Sequence, residues 1–116
     1  MISHSSLEIP LPGTEVKIET APLYRAFMFN FTEPWYALSQ EQQDEWERKL
    51  DQSHAQSGSK LLMTCFSRWS GAATLCWGVE AYPSFEALMK RSALLNEMDW
   101  YNYTSAESVL GVPFTL

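Results

Sequence analysis

The chain has 116 residues and a mass of 13.3 kDa, a length that fits one domain able to fold without metal or disulfide staples. Hydrophobic residues make up 46% and charged residues 19%, which excludes a disordered chain. The net charge of -6 repels phosphate backbones, so we expect no nucleic-acid partner. Aromatic residues reach 14%, and composition leaves open whether they form a core, a partner surface or a ligand pocket.

The cellular compartment follows from the N-terminus, the hydropathy and the cysteines. The first 20 residues are polar and contain Pro10 and Pro12, unlike a signal peptide, and no apolar run is long enough to cross a bilayer. Cys65 and Cys76 can bridge if both lie in paired strands, but buried reduced thiols are the expectation. The Cys and His spacing fits no zinc site. We therefore expect a cytoplasmic protein with no membrane partner and no metal.

The first half of the chain predicts an arm, a strand and a helix. Residues 1–22 are interpreted as an extended arm, with a short edge strand over Glu15–Glu19, and the folded domain spans 23–116. The apolar run Leu23–Thr32 predicts the first strand, which Glu33-Pro34 ends. Ser39 and Gln42 match a capping box that begins the first helix, and Gly58 is suited to end it.

The second half of the chain completes an alternating order of elements. The predicted elements are a strand over Lys60–Trp69, a turn at Ser70-Gly71, a strand over Thr74–Tyr82, a helix from Ser84 to Met98 and a strand over Trp100–Leu110. The order β-α-β-β-α-β is that of the ferredoxin-like α+β fold, a four-stranded antiparallel sheet with two helices on one face. The other face stays open, and if apolar it must meet a partner.

Strand alternation sorts the side chains onto the two faces of this sheet. The nearly pure apolar face, with Phe27, Phe29, Phe31 and Trp77, is assigned to the helices. The mixed face, assigned as open, carries Tyr24, Met28, Asn30, Phe66, Arg68, Cys76, Glu80 and Tyr82. Two copies packed through this mixed face would enclose an aromatic cavity with a few polar groups, as in small-molecule sites. One bulge in any strand would invert the assignment.

Two stretches resemble the dimeric α/β-barrel superfamily. The run Glu33–Gln42, which contains Pro-Trp-x-x-Leu-Ser, resembles its darcynin-like branch, and Val79–Ala87 resembles its junction of third strand and second helix. The resemblance covers Leu23 to Phe114, and the chain also resembles the small barrel proteins of bacterial indole-3-acetate catabolism. It implies a homodimeric barrel, a small hydrophobic or aromatic ligand, with indole-derived compounds among the candidates, and cofactor-free chemistry without metal or flavin. It carries over no catalytic motif.

The candidate catalytic residues are His54, Glu80 and Tyr82. His54 shares a helical stripe with apolar residues and suits acid/base chemistry, although a histidine at a helix end also suits the helix dipole. Glu80 in a dry cavity is a candidate base, and Tyr82 is a candidate partner for a substrate oxygen. The candidate substrate-binding residues are Tyr24, Met28, Asn30, Phe66 and Arg68. Arg68 is suited to bind a carboxylate, or alternatively to form a cross-strand ion pair with Glu80.

Three functions remain open at this point. The first is a homodimeric, cofactor-independent enzyme that acts on a small hydrophobic or aromatic compound by oxygenation, isomerisation or hydrolysis. The second is a non-catalytic ligand-binding or accessory barrel that uses the same cavity. The third is an interaction domain whose mixed face is filled by its partner.

Overall fold

The computed structural model describes residues 8–11, 14–17 and 21–114. In the arm, strand β1 (Glu8–Leu11) pairs with β2 (Thr14–Lys17) in an antiparallel two-stranded sheet. The edge strand predicted over residues 15–19 therefore overlaps β2, which belongs to this small sheet and not to the edge of the main one. Residues 18 and 19 lie outside the described part of the chain.

The main sheet contains the four strands predicted for the folded domain. These are β3 (Leu23–Phe31), β4 (Lys60–Phe66), β5 (Cys76–Tyr82) and β6 (Thr104–Gly111). All neighbours are antiparallel, in the spatial order β4-β5-β3-β6. The α+β class and the four-stranded antiparallel sheet are therefore confirmed, and the order is compatible with a ferredoxin-like fold.

Three helices connect these strands: α1 (Glu33–Tyr36), α2 (Gln40–Ser57) and α3 (Phe85–Glu97). The predicted caps are present, because the Ser39 and Gln42 side chains satisfy each other's backbone N–H groups and Gly58 ends α2 with φ 75°. Ser84 likewise accepts a hydrogen bond from the backbone of α3. The short α1 was not predicted, although proline suits the first turn of a helix. Within the described ranges, no helix has the length and apolar character needed to cross a bilayer.

Two 3₁₀ turns shorten the predicted strands. Arg68–Ser70 forms one, so β4 ends at Phe66, and Trp100–Asn102 forms the other, so β6 begins only at Thr104. The second turn brings Trp100 and Tyr103 onto the same side, where their ring centroids lie 5.1 and 5.0 Å from that of Trp46. A regular strand would point residues three apart to opposite faces, so the aromatic packing requires the turn.

The face assignment is wrong for β5. Arg25 pairs with Glu80 across the strands and Leu23 with Tyr82, so Glu80 and Tyr82 share the helix-covered face with the phenylalanines of β3. Trp77 instead lies opposite Met28 on the open face and is 40% exposed. The mixed face of β5 is the covered one because its polar groups meet polar groups of the helices, which composition cannot reveal.

A bulge in β4 inverts a second strand. The register shifts between Leu61 and Met63, and Phe66 then pairs with Cys76 on the helix-covered face, which corrects its assignment to the open face. Cys65 lies opposite Trp77 on the open face. The two thiols therefore lie on opposite faces of the sheet, and both are free, so the alternative of a bridge is wrong. Burial raises the pKa of the Cys76 thiol, and the charge of Arg68 partly offsets this effect.

Candidate functional site

A cavity of about 340 Å³ lies between the helix-covered face of the sheet and the helices. Phe27, Phe29 and Ala106 are among the residues of its floor, and Trp100 and Leu50 are among those of its walls. The cavity therefore has aromatic and aliphatic surfaces, the usual lining of a small-molecule site. It lies on the opposite side of the sheet from the site that strand alternation predicted.

Glu80 is the centre of a buried polar cluster at one end of this cavity. Its Oε2 lies 2.5 Å from Nη1 of Arg91 and 3.4 Å from Nε2 of His54. Its Oε1 accepts a hydrogen bond of 3.0 Å from the Tyr82 hydroxyl and lies 3.8 Å from Nε of Arg25. The three predicted catalytic residues are thus brought together, although Tyr82 is fully buried and does not line the cavity.

The cluster keeps Glu80 ionised. Burial alone would raise the pKa of this carboxyl. The hydrogen bond from His54, the charges of Arg91 and Arg25 and the hydrogen bond from Tyr82 together outweigh burial, so the pKa of Glu80 lies below its ordinary value. Burial and the nearby Glu80 charge raise the pKa of Tyr82, whose hydroxyl therefore keeps its proton.

A chain of serines fixes the ring of His54. The Ser57 hydroxyl donates its one hydrogen to the backbone oxygens of Ser53, at 2.8 Å, and His54. Ser59 must then donate to Ser57 across their 2.8 Å contact, which leaves its own oxygen to accept from Nδ1 of His54 at 2.7 Å. Nδ1 therefore carries a hydrogen, and Nε2 faces the Glu80 carboxylate. The imidazolium form, with a hydrogen on both nitrogens, satisfies both partners.

Sequence reasoning missed the two arginines of the cluster. Arg91 is 4% exposed and donates from Nε to Ser53 and from Nη1 to the Tyr82 hydroxyl. It lies between Leu88 and Leu95 on the buried stripe of α3. Arg25 lies among the apolar residues on the covered face of β3. The available signal was an arginine within an apolar stripe, because such a charge needs a buried partner.

Two buried polar atoms among the residues that line the cavity have no hydrogen-bond partner within the described part of the chain. One is Nε of Arg25, whose guanidinium lies 5.5 Å from the centre of the Tyr82 ring. The other is Oγ1 of Thr104, a residue that is 7% exposed. Buried polar atoms nearly always have partners, so each unpaired atom requires an explanation.

The five predicted substrate-binding residues do not line this cavity. Tyr24 and Met28 lie on the open face. Oδ1 of Asn30 accepts hydrogen bonds from Nη2 of Arg68, at 2.6 Å, and from the backbone of Leu75, at 2.8 Å. Glu80 pairs with Arg91 instead, so the cross-strand pair of Glu80 with Arg68 is wrong. The fifth, Phe66, lies on the covered face and is 55% exposed.

The open face of the sheet presents a mostly apolar surface with one exposed carboxylate, that of Glu107 opposite Met28. Met28 and Val109 are 47% and 67% exposed on it, beside Trp77 and Val79. Together with the backbone of Gly78, these residues line a depression of about 420 Å³. This surface is less polar than predicted, because Glu80 and Tyr82 lie on the other side of the sheet.

The chain was compared with known proteins. No protein-family model matches it, and searches of curated proteins and of solved structures find no match.

Proposed function

We propose that this chain is a small cytoplasmic, homodimeric enzyme that acts on a small hydrophobic or aromatic compound held in the cavity beneath α2. The observation that carries the proposal is the meeting of an aromatic cavity with the His54–Glu80 pair in its wall. In keeping with the family resemblance, the reaction is an oxygenation, isomerisation or hydrolysis in a catabolic pathway, with an indole-derived compound as one candidate substrate and no cofactor.

The chemical role of His54 is proton transfer at Nε2. Ser59 holds the ring through Nδ1, and Glu80 stabilises a positive charge on it. The distance of 3.4 Å between Nε2 and Glu80 exceeds an ordinary hydrogen bond, and such contacts commonly rearrange when substrate binds. A substrate oxygen or nitrogen in the cavity can therefore take or supply the proton of Nε2.

The homodimer is proposed from the open face. This face exposes Met28, Trp77 and Val109 together, with the single carboxylate of Glu107 beside Met28. An exposed patch that is mostly apolar in this way is typical of a protein contact. A second copy related by a two-fold axis presents the same patch, so the two faces complement each other. The cavity of each copy lies on the covered face, so this contact does not enclose it.

The test is turnover of aromatic carboxylates, including indole-3-acetate and phenylacetate, followed by mass spectrometry. The His54→Gln variant is expected to lose turnover by about 10²-fold or more while ligand binding persists. Gln52→Ala, at an exposed position of the same helix, is the matched control and keeps full turnover. Equal turnover in the wild type and in His54→Gln would refute the role of His54.

A second candidate function is non-catalytic binding of the same ligands. It is favoured by one observation, which is that both ring nitrogens of His54 and both oxygens of Glu80 already have protein partners. A ligand that binds tightly and is recovered unchanged after prolonged incubation with the wild type would favour this function over the enzyme.

A further inference from the structure

Two residues that line the cavity, Arg25 and Thr104, each contain a buried polar atom without a hydrogen-bond partner among the described residues, and they lie near opposite ends of the cavity. Arg25 pairs with Leu110 of β6, whereas Thr104 begins that strand opposite Phe31. Six residues of strand separate the two positions, so their Cα atoms lie roughly 20 Å apart. A single small ion cannot reach both residues, and one ligand that contacts both must be elongated.

The Arg25 end favours a negative charge. Arg91 donates to Glu80, Tyr82 and Ser53, so its charge is paired with the single buried carboxylate of the cluster. The Arg25 guanidinium, 3.8 Å from Glu80 at its nearest, donates no hydrogen bond within the described residues and leaves an excess positive charge.

Two further carboxylates line the same cavity from α2, and they do not cancel the buried charge. Glu47 and Asp51 are both exposed to solvent. Water and salt screen their charges far more than they screen a buried guanidinium. A carboxylate fits the Arg25 end, because a guanidinium binds it with charge-assisted hydrogen bonds.

The middle and far end of the cavity call for different groups. Between Arg25 and Thr104, the strands β3 and β6 present Phe27, Phe29 and Ala106 together with one hydroxyl, that of Ser108 opposite Phe27. This mostly apolar stretch suits an aromatic or aliphatic body. The hydroxyl of Thr104 can donate or accept one neutral hydrogen bond at the far end. A hydroxyl or carbonyl of the ligand satisfies it.

We infer that the cavity binds an elongated amphipathic carboxylate, with its carboxylate on Arg25, its apolar body along Phe27 and Phe29, and a hydroxyl or carbonyl at its far end on Thr104. This inference rests on the proposed function only in using the same cavity, and it requires no turnover. The predicted carboxylate anchor was Arg68, which instead donates a hydrogen bond to the Asn30 side chain away from the cavity. Arg25 takes that role in the inference.

The test measures binding of four probes by calorimetry and by the fluorescence of Trp100, which lines the cavity. The probes are hydroxyphenylhexanoate, its primary amide, phenylhexanoate without the hydroxyl, and acetate. The wild type is expected to bind the first probe about tenfold or more tighter than the amide and about fivefold tighter than phenylhexanoate. Acetate is expected to bind far more weakly than all three.

Two variants assign these preferences to their residues. Arg25→Gln is expected to abolish the preference for acid over amide, and Thr104→Val to abolish the preference for the hydroxyl, while Arg68→Gln keeps both. Thr104→Val removes no hydrogen bond to a described residue. Arg25→Gln gives up the 3.8 Å ion pair with Glu80 but keeps the shorter pair between Glu80 and Arg91, so we expect both variants to fold, Arg25→Gln with lower stability. If either does not, the four probes on the wild type still decide.

Three outcomes would overturn the inference: equal wild-type affinity for acid and amide, an acid preference that survives in Arg25→Gln, or acetate binding as tightly as the long acids. Because all these readouts are binding constants, an absence of turnover leaves them intact and counts only against the proposed enzyme.

Discussion

The carboxylate of Glu80 contacts charged side chains from two helices and from one neighbouring strand. Arg91 comes from α3, His54 from α2 and Arg25 from the neighbouring strand β3. The cluster replaces the water that each of these groups loses on burial, so its members depend on one another. Removal of one member exposes the charge of another to an apolar surrounding.

At this scale we predict that Arg91→Met destabilises the protein by about 3–5 kcal/mol, because it removes the shortest contact of the buried Glu80 carboxylate and leaves that charge underpaired. The measurement is urea unfolding at neutral pH. Arg48→Met is the control, since Arg48 pairs with Glu45 at the protein surface and its removal is expected to leave the unfolding midpoint unchanged. An unchanged midpoint in Arg91→Met would mean that Glu80 does not depend on this arginine.

We also predict an acid-sensitive contribution from Glu80. Because its folded pKa lies below the ordinary value of 4.5, the ionised carboxylate contributes stability that is fully present above pH 4.5 and is lost as the pH falls through the folded pKa. Glu80→Gln lacks this contribution. Its free energy of unfolding, although lower at neutral pH, should therefore decrease less steeply below pH 4.5 than that of the wild type.

The measurement is urea unfolding at a series of acidic pH values and at high salt. Glu45→Gln is the matched control, because the hydrogen bond from Arg48 also lowers the pKa of Glu45 but at a position exposed to solvent, where salt screens the effect. Its profile should follow that of the wild type. Parallel profiles for Glu80→Gln and the wild type would contradict the role of Glu80.

Among the strands, β5 is shaped by Gly78. A Cβ atom at this position would lie 2.5 Å from the backbone oxygen of Met63 and 2.5 Å from Cζ of Phe27. The Phe27 ring therefore lies over a bare backbone, which lets it pack flat on the covered face and line the cavity. The missing side chain of β5 thus helps to shape the floor of the site.

We predict that Gly78→Ala destabilises the protein by about 1–3 kcal/mol, because the added methyl group must displace either the Phe27 ring or the backbone of β4. Thermal and urea unfolding measure this change. Gly111→Ala in β6 is the control, since nothing lies within 4 Å of a Cβ there. If both substitutions have the same effect, the close approach of Phe27 is not the cause.

The whole domain presents two surfaces with different chemistry. The helix-covered face contains the cavity and the charged cluster, whereas the open face is mostly apolar, with Glu107 as the one carboxylate of its depression. A stable contact between two copies needs about 800 Å² from each, a size that one sheet face can supply. On this view the ligand site and the dimer contact lie on opposite sides of one sheet.

We predict that the wild type has twice the mass of 13.3 kDa in light-scattering chromatography and that Met28→Glu shifts it towards the monomer, because a charge is placed on the proposed contact. Met89→Glu on α3 is the matched control, since Met89 is 52% exposed against 47% for Met28. The proposed contact is wrong if Met28→Glu stays as dimeric as the wild type, or if both variants dissociate equally.

The local elements followed from local chemistry. The capping box at Ser39, the left-handed Gly58 and the cap at Ser84 depend on residues within a few positions of each other, so the sequence alone predicted the helices that they bound. The alternating order of strands and helices then predicted the four-stranded sheet. His54 was placed on the inner stripe of its helix by spacing alone, and it does line the cavity.

The location of the site was decided only by tertiary structure. A bulge beside Leu62 in β4 and the inward orientation of Glu80 in β5 each reversed which residues of the strand face the helices. Side chains alternate between the two faces of a strand, so a shift of one residue moves every side chain to the opposite face. The polarity of Glu80 suggested the open face, but Arg91, eleven residues away on another element, makes its burial favourable. The sequence by itself thus determined the four strands and two long helices of the domain and their order, while the long-range pairing of charges decided which side of the sheet holds the cavity.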